Sequence, residues 1–212
     1  MAGFVVAVTG GVASGKSAVT SLFEEVGIAV ADADLIARSV VSIGQPGLIE
    51  IVEHFGTELL NRDGSLNRAE MRRLIFENQN ARKALEAITH PRIRLELRRQ
   101  CRSATTPYAI AAIPLLAETT ASEYYSWIQR ILVVDAPVSS QRTRLILRDG
   151  VDLELAERMI GSQADRHRRL SLATDVLIND RTIESLRSSI IRLDLIFRRM
   201  TEPFIQTQAK PS

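Results

Sequence analysis

The 212-residue chain is long enough for one α/β core with insertions and short for two independent domains. Hydrophobic residues make up 45% and charged residues 25%, the balance of a soluble globular protein, which excludes a disordered or membrane-embedded chain. The net charge of +2 is not strongly basic, and the single cysteine, Cys101, excludes an intramolecular disulfide framework and a CxxC metal site, as fits a reducing cytosol.

The first run, Phe4-Val5-Val6-Ala7-Val8, is short, β-branched and continuous, as expected of a parallel strand buried on both faces. No basic stretch precedes it and a glycine-rich loop follows it, so it reads as a strand and not as a signal peptide. Residues 16–25 switch to helical spacing, with Val19, Leu22, Phe23 and Val26 recurring every three or four positions and Gly27 as the stop. A second strand at residues 28–31 leads into Asp32-Ala33-Asp34. This βαβ unit predicts a parallel sheet with a right-handed crossover and with the second strand next to the first. Residues 35–103 read as several helices, broken at Gly44-Gln45-Pro46-Gly47, at Arg62-Asp63-Gly64-Ser65 and near His90-Pro91, with no convincing strand. Between Arg68 and Arg102 stand ten Arg or Lys residues against four Glu, which form either a field for a polyanionic ligand or solvated helix faces. Strand patterns return at residues 108–113 and 131–134, separated by a short polar helical stretch at residues 122–127. Residues 137–169 are helical and arginine-studded, with a turn at Gly150-Val151, and have the length and charge of a lid. A last strand at residues 176–178 precedes a helix over residues 183–200 and a polar tail from Gln206 that is expected to fray. No apolar run approaches the ~18–20 residues of a membrane-spanning helix.

The densest chemical signal is Gly10-Gly11-Val12-Ala13-Ser14-Gly15-Lys16-Ser17, a full G-x-x-x-x-G-K-S match set between a strand and a helix. The glycines let consecutive N–H groups and the helix N-terminus point at phosphates, and Lys16 brings a mobile positive charge to the β and γ oxygens. The Ser17 hydroxyl is the candidate ligand for Mg²⁺. Such a cradle implies nucleotide binding without deciding the reaction. Asp32 and Asp34, two apart on an extended segment, point the same way and flank the space above the loop. A carboxylate there can accept the proton of an attacking hydroxyl or orient Mg²⁺. One of the two, Asp34 above all, could instead cap the following helix.

Further elements share their order and spacing with one family. They are Thr9-Gly10-Gly11, Asp32-Ala33-Asp34-x-x-Ala37-Arg38, Phe55-Gly56, Asp63-Gly64-x-Leu66-x-Arg68, His90-Pro91, Pro114-Leu115-Leu116-x-Glu118 and Arg144-x-x-x-Arg148. Over residues 4–179 the chain resembles the dephospho-coenzyme A kinases. The resemblance implies an α/β P-loop NTPase fold, a parallel β-sheet flanked by helices, with a helical substrate-binding insertion and a helical lid. It implies ATP and Mg²⁺, and phosphorylation of the ribose 3′-hydroxyl of dephospho-coenzyme A, the last step in making coenzyme A. The corresponding division is a nucleotide-binding core of residues 1–34, 104–136 and 170–205, a coenzyme-binding insertion of 35–103, a lid of 137–169 and a flexible tail of 206–212.

By position, Asp34 resembles the family's proposed catalytic base, Asp32 and Arg38 its arrangers of substrate and metal, and Gly11, Val12, Ala13, Ser14, Gly15, Lys16 and Ser17 its ATP phosphate site. His90-Pro91 matches a motif expected to shape the acceptor pocket, although the bond to Pro91 equally suits His90 to a helix boundary. Glu118 either orients metal-bound water, pairs with a lid arginine, or is a solvated loop residue. Arg144 and Arg148, one helical turn apart, either close over the transferring phosphoryl or pair with Asp149, Asp152 or Glu154. Asn179 is an ATP-site candidate by family position and otherwise a turn residue. Ala13 stands where glycine is usual, which is tolerable at negative φ, and Thr174 stands where alanine is usual.

Other functions fit less well. A kinase of the same fold with a different small acceptor is the nearest alternative, and the arginine-rich insertion with His90-Pro91 and Asp32-Ala33-Asp34 separates the two. A nucleotide switch would need an Asn-Lys-x-Asp element or a glutamine after Asp-x-x-Gly, and the strand ending in Asp135 leads into the lid instead of a switch loop. A nucleic-acid binder would interleave aromatics with its arginines, whereas the chain has one Trp and three Tyr. The sequence thus predicts a cytoplasmic enzyme whose partners are ATP and dephospho-coenzyme A, with no nucleic acid, no membrane and monomer as the default state.

Overall fold

The computed structural model describes residues 3–118 and 125–208, with side chains described as far as residue 202. Residues 122–124 of the helical stretch expected at 122–127, and residues 209–212 of the expected tail, lie outside the described residues. The chain divides into two compact units, one of residues 1–31 and 100–212, the other of residues 32–99. The second unit overlaps most of the stretch 35–103, and residues 137–169 group with the first unit.

A five-stranded sheet joins β1 (Val5–Gly10), β2 (Ala29–Asp32), β3 (Ala109–Ala112), β4 (Arg130–Asp135) and β5 (Asp175–Ile178) in the order β2-β3-β1-β4-β5. β1 runs parallel to β3, with Val5 opposite Ala109, and parallel to β4, with Val6 opposite Arg130, while β4 runs parallel to β5. Every residue of β1 is buried, as its continuous apolar run requires of a central parallel strand. The second strand does not lie next to the first: β3, buried at all four positions, takes that place, and the half-buried β2 is left at the edge. A βαβ unit fixes the hand of the crossover but leaves room for a later strand, and the small side chains of Ala109, Ala111 and Ala112 suit the crowded interior position.

The first unit's core is made by Val6 and Val8 of β1, by Val19, Leu22 and Phe23 of α1 (Lys16–Glu25), and by Leu186, Ile190 and Phe197 of α9 (Ile183–Gln208). Tyr108 meets Phe23 edge-on at 6.4 Å and Phe197 at 5.6 Å between ring centroids. Its hydroxyl donates to Asp194 Oδ1 at 2.9 Å, and Arg198 Nε donates to the same carboxylate at 2.8 and 2.9 Å, so the buried polar groups are paired. α9 continues to Gln208, past the expected end at residue 200 and into the stretch read as tail. Between β4 and β5 lie α6 (Val138–Asp149), α7 (Leu153–Gly161) and α8 (Arg166–Ser171), with the expected turn at Gly150. Thr174 has a use alanine could not serve: its hydroxyl accepts from the Ile131 N–H at 2.8 Å beside the start of β5.

The second unit contains α2 (Ala33–Ser39), α3 (Pro46–Phe55), α4 (Arg68–Glu77) and most of α5 (Gln79–Ser103), around a core of Val41, Leu48, Ile51, Leu59, Leu66, Met71 and Ile88. The Asp63-Gly64 turn closes an isolated antiparallel bridge between Leu60 and Leu66, with Asp63 Oδ1 accepting from the Ser65 N–H at 3.0 Å. α5 passes through Pro91 without a break, which corrects the boundary expected at His90-Pro91. An internal proline forfeits one backbone bond at a cost of about 3 kcal/mol. The long helix absorbs it, continuing to Ser103 with Ile88 buried before the proline and Leu97 buried after it. No helix among the described residues is long and apolar enough to cross a membrane.

Candidate active site

The loop from Gly10 to Lys16 joins β1 to α1 and is tied down by side chains from far along the chain. Asn179, 8% exposed after β5, donates from Nδ2 to the Ser14 carbonyl at 2.8 Å, and its own N–H donates to the Asp135 carbonyl at 2.7 Å. Arg144 of α6 donates from Nη1 to the Ala13 and Ser14 carbonyls at 3.3 and 3.2 Å and from Nη2 to the Asn179 carbonyl at 2.9 Å. Gly15 caps α1 in the left-handed region at φ 97°, and a Cβ there would stand 2.0 Å from Asn179 Nδ2, so glycine is required on both counts. Lys16 Nζ donates to the Gly10 and Gly11 carbonyls at 2.8 and 3.0 Å. The Ser14 hydroxyl is buried without a hydrogen-bond partner.

Ala13 is not at negative φ. It sits at +53°, the only non-glycine residue with positive φ among the described residues. The loop's path needs a left-handed residue there, which is why glycine is the usual occupant, and the alanine methyl carries a steric cost of about 1–2 kcal/mol.

Ala13, Gly15, Lys16, Ser17, Arg144, Arg148 and Asn179 line one cavity of about 580 Å³, closed further by Arg181, Leu147 and Ile183. This is within the usual size of a small-ligand site and mixes cations with apolar wall, as a nucleotide needs. Arg148 also pairs with Asp149, at 2.7 and 2.8 Å, as one of the two alternatives had it; the guanidinium lowers the Asp149 carboxyl below its usual range, and the hydrogen bond back raises Arg148. Ser17 is exposed on the cavity wall. Among the described residues no cluster of three metal-ligating side chains exists, and a single hydroxyl fits an ion such as Mg²⁺ that keeps phosphate oxygens and waters as its other ligands.

Behind the loop, Gln163 Oε1 accepts from the Val12 N–H at 2.6 Å, and Glu118 Oε1 accepts from the Ala164 N–H at 3.0 Å while its Oε2 is buried without a partner. Glu118 is therefore neither a solvated loop residue nor paired with a lid arginine. Asp135, 6% exposed at the end of β4, is gripped by Arg166 Nε and Nη2 at 2.8–3.2 Å, and that contact raises the Arg166 pKa. Gln141, Gln163, Arg166, Arg169 and Arg181 were not singled out by the sequence. The arginines were visible only as part of a charged helical stretch, and a lone glutamine carries no motif at all.

In the second unit Asp32, not Asp34, is the helix cap: its Oδ1 accepts from the Asp34 and Leu35 N–H groups at 2.7 and 3.1 Å. Asp34 lies in the first turn of α2 and is exposed, so the two carboxylates are not on one extended segment. The helix starts two residues earlier than read, at Ala33, because Asp32 can close its first turn. Arg38 is exposed in the last turn of α2, and its carbonyl accepts from Arg68 Nη2 at 3.3 Å. His90 is exposed in mid-α5, not at a boundary. The second unit has cavities of about 470 Å³, bordered by His54, Phe55 and Glu70, and about 400 Å³, bordered by Gln45, Arg92 and Arg99; Asp34, Arg38 and His90 line neither.

The chain's similarity to known proteins agrees with this geometry. The family model of dephospho-CoA kinase matches residues 4–185. A dephospho-CoA kinase of Xanthomonas euvesicatoria is 52% identical over 93% of this chain and 97% of its own length. Among solved structures, TT1252 from Thermus thermophilus superposes with a TM-score of 0.76 at 27% identity, covering 91% of this chain and 97% of that one. The dephospho-CoA kinase from Campylobacter jejuni superposes with a TM-score of 0.70 at 26% identity, covering 92% and 97%. With a P-loop between β1 and α1 and a family match over most of its length, the chain belongs to the dephospho-CoA kinase family, which uses ATP to phosphorylate dephospho-CoA in the final step of coenzyme A biosynthesis.

Proposed function

We propose that the chain transfers the γ-phosphoryl group of ATP to the ribose 3′-hydroxyl of dephospho-CoA, with Asp34 as the base. The hydroxyl oxygen bonds to the γ-phosphorus, the bond from that phosphorus to the β,γ-bridging oxygen breaks, and ADP leaves with the electron pair. The hydroxyl proton passes to the Asp34 carboxylate, a role supported by the exposure of Asp34 in the first turn of α2. Asp32, by capping α2, sets the path of the backbone that carries Asp34, and Arg38 and His90 are the candidate contacts to the acceptor. Lys16 and the loop N–H groups hold the phosphates, Arg144 and Asn179 hold the loop, and Arg148 and Arg181 face the nucleotide from the cavity wall. Mg²⁺ bound through the Ser17 hydroxyl would neutralise phosphate charge.

The observation that carries the reading is the cavity beside the P-loop, cationic and partly apolar, in a chain of this family. The proposal extends to a monomeric cytoplasmic enzyme whose helices over 137–169 close as a lid when both substrates bind. Equal hydrogen-exchange protection of 137–169 with and without both ligands would rule closure out. The reaction is tested by ADP release with ATP and Mg²⁺, comparing dephospho-CoA, adenosine, AMP and no acceptor. Turnover with dephospho-CoA alone is expected; preference for another acceptor would keep the fold and discard the substrate, and acceptor-independent hydrolysis would favour a switch.

A further inference from the structure

Arg169, in the last turn of α8, is only 9% exposed, and among the described residues no carboxylate lies within ion-pair range of it. Its Nη1 donates to the Ala164 carbonyl, and its Nη2 stands beside Gly11, 3.2 Å from where a Cβ would be. A guanidinium buried without an anion is a costly arrangement, so its retention points to an anion that the protein does not itself supply.

The surroundings fix this cation in place. Both backbone groups of Ala164 are held, its N–H by Glu118 Oε1 at 3.0 Å and its carbonyl by Arg169. The neighbouring Gln163 fastens the same segment to the loop through the Val12 N–H at 2.6 Å. Gly11 has no side chain to keep the guanidinium away, and a Cβ would also stand 2.5 Å from Gln141 Nε2. The Lys16 ammonium is bonded to the Gly10 and Gly11 carbonyls, so two cations border the same residue. The lysine of a P-loop serves the β and γ oxygens, which marks this as the γ-phosphate end. Arg144, by contrast, is spent on the Ala13, Ser14 and Asn179 carbonyls.

We propose that Arg169 is a catalytic residue that donates to the oxygens of the transferring phosphoryl group, with Glu118 and Gln163 as residues that position it. As the acceptor oxygen bonds to phosphorus and the bridging bond breaks, charge spreads over the equatorial and bridging oxygens, and a planar guanidinium matches that array better than an ammonium. The inference rests on the phosphoryl transfer proposed above, and its decisive readout needs no acceptor.

Arg169→Met and Arg169→Lys are compared with the wild type for affinity toward ADP and toward ADP with tetrafluoroaluminate, a mimic of the phosphoryl in flight, both with magnesium. ADP affinity is expected to move by less than about threefold, while analogue affinity falls at least ~10²-fold in Arg169→Met and by an intermediate factor in Arg169→Lys. With dephospho-CoA and ATP, kcat should fall by about 10²- to 10³-fold in Arg169→Met. Parallel losses of ADP and analogue affinity would overturn the proposal by showing that Arg169 only shapes the loop, and so would unchanged analogue affinity. Should Arg169→Met not fold, Arg169→Lys, which keeps the charge and a donor for Ala164, decides alone by the same comparison. A wild type inactive on dephospho-CoA would refute the acceptor, and a selective analogue loss in that case would still support Arg169.

Discussion

The loop at residues 10–17 takes its shape from side chains 130 to 165 positions away, whereas the element at residues 32–38 is shaped from within itself. Arg144, Gln163 and Asn179 reach the loop across those separations. Asp32 caps its own helix across two and three residues. Both stretches carry recognisable motifs, but only the second contains the means of its own geometry. A phosphate cradle must hold backbone N–H groups in a fixed fan, which its small residues cannot enforce alone, while an aspartate beginning a helix needs only the first turn. Damage to the first motif should therefore come from anywhere in the first unit, and damage to the second from its immediate neighbours.

The sharpest division is expected at the two charged residues given different tasks. Asp34→Asn should lower kcat by about 10²- to 10⁴-fold with little change in ATP affinity, whereas Lys16→Ala should weaken every nucleotide-dependent step, including acceptor-free ATP binding. Near-native kcat in Asp34→Asn, measured by ADP release at saturating substrates, would remove the base assignment and leave Asp34 as a first-turn residue of α2.

The supports come next. Asn179→Ala removes one of the two side-chain donors to the Ser14 carbonyl, leaving Arg144 Nη1 as the other, a loss of about 0.5–1.5 kcal/mol in stability, and should raise KM for ATP together with it. Asp32→Ala removes a cap worth about 1 kcal/mol and should leave ATP affinity alone. Urea unfolding and ATP titration of both variants would decide; if Asp32→Ala weakened ATP as much as Asn179→Ala, the contrast between distant and local support would fail.

The same contrast explains what could be read in the sequence. The strand, loop and first helix were legible because strand periodicity, the glycine–lysine spacing and Gly27 are local signals, and α1 runs over residues 16–25 as read. The interposed β3 was not, since strand order depends on which strand later fills the place beside β1, and Tyr108-to-Ile113 composition says nothing of its neighbours. Pro91 misled because a helix of this length can bear a lost hydrogen bond that a short one could not. Asn179 and Arg144 were reached through family position, but their grip on the Ser14 carbonyl lies only in the fold. Gln163 and Glu118 act through the backbone, and contacts to backbone leave no mark on the partner's residue type.

A smaller effect should appear at alkaline pH. Burial pushes the Cys101 thiol from 9.0 up to about 12 and displaces the Tyr108 phenol in the same direction. Between those values the folded state keeps a proton that the unfolded chain has released. Stability from this group is thus complete below pH ~9 and declines as pH rises toward 12, by at most about 1.4 kcal/mol per unit. Urea midpoints of the wild type and Cys101→Ala between pH 8 and 10 measure it; the variant should show the shallower decline, and equal slopes would mean that the thiol is not shielded when folded.

The smallest change tests whether the loop's shape is imposed from outside. Ala13 occupies φ +53° although alanine alone disfavours it. If distant side chains hold the loop in that path, the strain is present in the folded protein and Ala13→Gly should relieve it. Glycine removes a penalty of about 1–2 kcal/mol but adds freedom to the unfolded chain worth about 0.4–1 kcal/mol. The net expectation is a gain of roughly 0.5–1 kcal/mol, seen as a rise of about 1–4 °C in Tm for a chain of this size. In the Asn179→Ala background the gain should shrink, because a loop freed of that tie can relax Ala13 toward negative φ. An equal gain in both backgrounds would mean that the left-handed turn is intrinsic to the loop, and that the distant ties steady a shape they do not create.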